Sequence, residues 1–129
     1  MDSRKLALLC RELADDKKAE EIVILDVRKV SSIADYYVIA TGSSEPHLRA
    51  IVEHVRDSLI ETHGLRPRAM DGRIQTSWVV LDYFDVIIHI MRPEVRARYD
   101  LEGLWGEVPR VRRRKSTASP APPAGEKAG

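Results

Sequence analysis

Residues 35–60 read DYYVIATGSSEPHLRAIVEHVRDSLI, an apolar strand that breaks at a glycine and restarts as a helix. The strand is DYYVIAT (35–41), rich in β-branched and aromatic residues. After Gly42, the positions Leu48, Ile51, Val52, Val55, Leu59 and Ile60 fall at i, i+3, i+4, i+7, i+11 and i+12, the spacing of one helix face. That face stops before Gly64, a natural helix end. Ser43 or Ser44 can cap the helix, Glu45 suits its positive end, and Pro46 falls in the first turn, where a missing N–H is harmless. A strand feeding a helix in this way points to the α/β class.

The same turn raises the question of a phosphate site. A P-loop needs a longer glycine-rich loop ending in Lys-Ser/Thr, and a dinucleotide fingerprint needs three spaced glycines. Here there is one glycine, and the capping chemistry accounts for it. Nucleotidyltransferases follow a related Gly-Ser turn with paired metal-binding aspartates. Residues 48–60 are helical and carry no Asp-x-Asp.

Outward from this unit, residues 2–19 set Leu6, Leu9, Cys10 and Leu13 at helical spacing, and IVILDV (22–27) reads as a sheet-core strand. Pro67–Met70 reads as a short edge strand. SWVVLD (77–82) and DVIIHIM (85–91) read as a hairpin with Tyr83-Phe84 as its loop. EVRARYDLEGLW (94–105) follows as a short helix and an apolar closing segment. The order α-β-β-α-β-β-β predicts a mixed five-stranded sheet with flanking helices. The domain is expected over 1–107, with 108–129 a disordered tail, basic and then Pro/Ala-rich, too poor in apolar side chains to offset ordering entropy.

The 129 residues suit one core. No apolar run approaches the roughly 18 residues of a membrane span, and Arg11 and Glu12 interrupt the first apolar segment, so a cytoplasmic protein is expected. A single cysteine excludes an intrachain disulfide and a cysteine-based zinc site. The overall charge of +1 hides an asymmetry: 109–129 carries six basic residues and one acid, leaving 15 basic and 19 acidic residues in 1–108, a net of −4. An acidic body argues against nucleic acid as the main partner of the folded part and suits a basic protein. The run Arg112–Lys115 is a solvated terminus or a contact for RNA or another polyanion.

Enzyme chemistry is nearly absent. His47, His54, His63 and His89 form no metal-binding spacing; His89, between two isoleucines on a strand, reads as a hydrogen-bonded, half-buried histidine. Cys10 reads as core. With Tyr83-Phe84 as loop, the hairpin sets Asp82 opposite Asp85, Val80 opposite Ile87 and Trp78 opposite His89 on one face. The other face, with Val79, Leu81, Val86, Ile88 and Ile90, is the core face. The first face is either covered by a helix or a protein-binding patch, with an aromatic anchor and an acidic rim.

The segments LDVRKVSSIADYYVIATGSSEPHLRAI (25–51), SWVVLDYFDVIIHIM (77–91) and EVRARYDLEGLWG (94–106), in this order and spacing, closely resemble the ribosomal silencing factor family, also called RsfS, Iojap-like or DUF-type, over about residues 5–106. The resemblance implies a nucleotidyltransferase-like α/β fold without the catalytic residues, no enzymatic activity, no metal and no cofactor. It implies binding to the large ribosomal subunit through ribosomal protein L-fourteen, a basic protein on the subunit-joining face. Bound there, family members block the small subunit and repress translation; they also occur as homodimers. Carried over by position, the contact residues are Trp78, Asp82, Tyr83, Asp85, Tyr99 and Leu101. Two departures stand out: Phe84 where many members have glycine, and Pro46 where a polar or basic residue precedes His47. The alternative reading is a divergent nucleotidyltransferase-like nucleotide binder; an RNA-binding module led by the tail is a third.

Overall fold

A computed structural model describes residues 1–111. The elements run α1 (Ser3–Asp16), β1 (Glu20–Asp26), β2 (Tyr36–Thr41), α2 (Glu45–His63), β3 (Ala69–Arg73), β4 (Trp78–Asp82), β5 (Val86–Met91), α3 (Pro93–Tyr99) and α4 (Leu101–Trp105). The five strands form one sheet in the order β1-β2-β5-β4-β3. Only β2 and β5 pair in parallel; the other three neighbouring pairs are antiparallel. This is the mixed five-stranded α/β sheet that the sequence predicts.

The α2 start is built as its residues dictate. Ser44 takes extended backbone and its hydroxyl accepts from the His47 N–H, Pro46 lies in the first turn, and Gly64 closes the helix at φ 60°. Gly42 is required by packing, since a Cβ there would lie 3.0 Å from the backbone of Leu48. Leu48, Ile51, Val55 and Leu59 are then fully buried against β2, β4 and β5 together with Leu6 and Cys10 of α1. Each such side chain contributes roughly 1.5–3 kcal/mol by burial. α1 and α2 therefore cover one face of the sheet.

The opposite face carries a smaller core of Leu25, Val27, Tyr37, Ile39, Ile87 and Met91. α3 and α4 close over it with Val95, Leu101 and Trp105. Where the sequence suggests one short helix and a closing segment, there are two helices, broken at Asp100. Asp100 adopts φ 42° and its carboxylate accepts from the Gly103 N–H, so one residue ends α3 and caps α4.

Two expectations change. The hairpin register is Trp78 opposite Met91, Val80 opposite His89 and Asp82 opposite Ile87, with Tyr83 N–H donating to Val86 O and Phe84-Asp85 as the loop. Asp82 and Asp85 are therefore not opposed. The shift is by two residues, so every side chain keeps its expected face. The reason is Tyr83, which belongs to the main core at 4% exposure rather than to a loop. Second, Pro109–Val111 is ordered: Asp26 N–H donates to Pro109 O, Val111 N–H donates to Ile24 O, and Arg11 reaches Val111 O at 3.2 Å. The rest of the expected tail, with the basic run, lies outside the described residues.

Candidate protein-docking site

β4 and β5 alternate, so Trp78, Val80, His89 and Met91 face α3 and α4 while Val79, Leu81, Ile88 and Ile90 face α1 and α2. A chain of rings crosses this second face. Tyr99 packs on Trp78 with centroids 4.9 Å apart, Trp78 lies 5.9 Å from His89, His89 meets Tyr37 edge-on at 5.7 Å, and Tyr37 meets Trp105 at 5.1 Å. The Tyr99 end is open: the residue is 53% exposed, and with Trp78, Val80, Val95 and Arg98 it borders an open depression of about 400 Å³. Leu104, on α4, is 74% exposed.

The indole N–H of Trp78 donates to Nδ1 of His89 at 3.1 Å. An indole can only donate, so His89 Nδ1 must accept and the ring proton sits on Nε2. Burial pulls the His89 pKa down to about 4, so the imidazole is neutral at neutral pH. The bond fixes the orientation of Trp78 from beneath.

From the other side the ring is held by α3 and α4. Arg96, 7% exposed, donates from Nε and Nη2 to the two carboxylate oxygens of Glu102 at 3.0 and 2.8 Å, and from Nη1 to Thr41 Oγ1 at 2.7 Å. The guanidinium holds the Glu102 carboxyl below its ordinary range. A buried arginine of α3 thus ties both helices to Thr41, at the end of β2.

The expected contact residues divide. Trp78, Tyr99 and Leu101 come together on this face, Leu101 partly buried against the second core. Asp82 sits at the far end of β4, paired with Arg68 at 2.9 Å and accepting the Phe84 N–H at 2.8 Å. Asp85 is exposed in the loop, and its carbonyl accepts from the N–H groups of Asp35 and Tyr36. Tyr83 lies on the opposite, helix-covered face. The acidic rim and the aromatic anchor are therefore separated along β4 rather than merged into one cluster. Arg96, Glu102 and Thr41 carry no sequence signal, because their partnership spans 55 positions and a helix break.

The Gly-Ser turn binds its own chain. Ser43 N–H donates to His47 Nδ1 at 2.8 Å, which leaves Nε2–H of His47 to donate to Lys17 O at 2.8 Å. Two amides of this turn, those of Ser43 and His47, are engaged by the chain itself. Among the described residues no group of three or more His, Cys, Asp or Glu side chains could hold a metal, and no helix is long and apolar enough to cross a membrane.

The chain is similar to proteins of known family. A ribosomal silencing factor RsfS of Halalkalibacterium halodurans is 36% identical over 111 residues, covering 86% of this chain and 94% of its own length. The crystal structure of protein CV0518 from Chromobacterium violaceum superposes with a TM-score of 0.78 at 32% identity, covering 94% of this chain and 96% of that one. A mouse protein named mitochondrial assembly of ribosomal large subunit protein 1 is 31% identical over 99 residues, 72% of this chain but 42% of that longer protein. The family model described as "Ribosomal silencing factor during starvation" matches residues 1–128. With the sheet, both helical layers and nearly the full length in common, the chain belongs to the ribosomal silencing factor family.

Proposed function

We propose that this protein represses translation by occupying the large ribosomal subunit through ribosomal protein L-fourteen, so that the small subunit is sterically excluded. No bond is made or broken; the protein is not an enzyme, and it acts in the cytoplasm. Trp78 is the anchor, with Tyr99 and Leu101 beside it, and Asp82 and Asp85 form an acidic rim toward the hairpin tip. Tyr83, buried in the core, is not part of the contact. The free protein is a homodimer, residues 1–107 carry the docking function, and the basic run 112–115 makes a secondary contact with ribosomal RNA.

The observation that carries this reading is the Trp78–Tyr99 pair, held at 4.9 Å at the margin of an open depression on a body of net charge −4. A pre-positioned aromatic pair with carboxylates beyond it suits a basic protein surface, where large rings supply affinity and charge supplies steering. Family membership, and a mouse relative named for large-subunit assembly, support the ribosome as the setting.

Co-sedimentation with isolated large subunits tests it. Trp78→Ala should weaken binding tenfold or more, as an anchor worth about 2 kcal/mol implies. Asp82→Lys should weaken it less and mostly through the association rate. If both folded variants sediment with subunits like the native chain, the docking face lies elsewhere.

A further inference from the structure

A single residue, Asp100, separates α3 from α4, and Tyr99 and Leu101 of the docking face flank it on either side. α3 has seven residues and α4 has five, too short to hold a shape by their own hydrogen bonds. Asp100, between them, sits at φ 42°, a left-handed backbone that aspartate tolerates better than most non-glycine residues. Across this break, Arg96 of α3 and Glu102 of α4 hold each other with two hydrogen bonds, and Arg96 reaches the sheet through Thr41. α3 and α4 are thereby joined across Asp100 and fixed to β2.

We infer that the Arg96–Glu102 pair, anchored on Thr41, is a positioning device that holds the Tyr99 ring against Trp78 and so gives the docking face its shape. This rests on the docking reading above for its purpose, not for its geometry. The fork of Arg96 engages both carboxylate oxygens, a bidentate contact that constrains the angle between α3 and α4 as well as their distance. Gly103 allows the arrangement: a Cβ there would sit 2.1 Å from Asp100 Oδ2 and expel the carboxylate that starts α4. An apolar pair in place of Arg96 and Glu102 could fill the same volume but would not dictate an orientation. Affinity for the partner then depends on three side chains that need not touch it, because a face already in its bound shape has less ordering entropy to lose on binding.

Two variants test this, read in the free protein and on isolated large subunits. Glu102→Gln removes the charge, and Thr41→Val removes only the sheet anchor while keeping the side-chain shape. In the free protein, NMR should show the Tyr99–Trp78 ring contact weakened and amide exchange faster over 97–104, with the α1, α2 and sheet amides unchanged. Thr41→Ser, which restores the hydroxyl, should recover both. On subunits, Glu102→Gln should weaken binding about fivefold to tenfold in the native background but less than about twofold when Tyr99→Ala is already present, the mark of one residue acting through the other. An intact ring contact in both variants, or full additivity with Tyr99→Ala, overturns the inference. If the native chain fails to bind subunits at all, the proposed function falls, and the ring contact in the free protein still decides the role of Arg96.

Discussion

Trp78 and His89 are diagonal neighbours on adjacent antiparallel strands, and the indole N–H of one ends on Nδ1 of the other at 3.1 Å. The bond requires a neutral imidazole, because a protonated Nδ1 would oppose the indole N–H. The pKa of His89 is pulled from 6.5 to about 4 by burial. Between those two values the unfolded chain binds the proton and the folded chain does not, so stability falls as pH drops from 6.5 toward 4. The loss amounts to something on the order of 3 kcal/mol across that window. Urea unfolding from pH 7.5 to 4.5 should show it, and His89→Gln should flatten the slope. Asp26 and Glu102, whose carboxyls are held low by Arg28 and Arg96, lose their contributions only at more acid pH. A pH-independent midpoint in the native chain would contradict the neutral-histidine account.

Phe84 sits at φ 73°, with Asp85 N–H donating to Tyr83 O at 3.0 Å across it, a tight three-residue turn strained for any side chain. Asp82 holds the strain by accepting the Phe84 N–H, and Arg68 lies 4.1 Å over the ring. Phe84→Gly should raise stability by about 1 kcal/mol, the strain relieved outweighing lost cation–π attraction and added chain entropy. Phe84→Val should lower it by a similar amount. Denaturant melts of the two decide it: a glycine variant less stable than the valine one is incompatible with this geometry.

Asp100 combines a left-handed backbone with a helix cap, and asparagine tolerates both. Asp100→Asn should leave stability within about 0.5 kcal/mol, whereas Asp100→Ala should cost about 2 kcal/mol through cap and conformation together. Equal effects from the two would mean that the carboxylate charge, rather than its shape, matters.

Cys10 is fully buried and its thiol is pushed up to about 12 by burial. The native thiol should resist alkylation at pH 8, with modification following global unfolding rather than local opening. Fast labelling without denaturant would place α1 outside the cooperative core.

Much of the fold is legible in the sequence because local chemistry agrees with it. The spacing from Leu48 to Ile60, the Ser44 cap and Gly64 define α2 with nothing further needed. The hairpin loop is misread because Tyr83 looks like turn material, and only the depth of the core beneath it shows that its ring is inside. Strand parity rescues the faces: a two-residue error leaves Trp78 where the pattern puts it. The site is half legible for a different reason. Trp78 and Tyr99 stand out by residue type, but the side chains that aim them are joined through space, from β2 to α3 to α4. No periodicity encodes that, and the helix break at Asp100 hides it further.

The three residues Pro109–Val111, lying along β1, also bear on how copies of the protein meet. Outer strands expose unpaired backbone groups that invite sheet-to-sheet aggregation. Here the chain's own return segment occupies part of that row, so one flank of the sheet is self-sealed. The opposite flank, β3, is short and bent at Gly72 with φ 81°, and carries Asp71 and Arg73, features that discourage a stacked neighbour. A truncation ending at residue 108 would strip the seal and favour association through β1, while one ending at 111 would keep it. The place where the chain is cut, rather than the number of residues removed, then governs solubility.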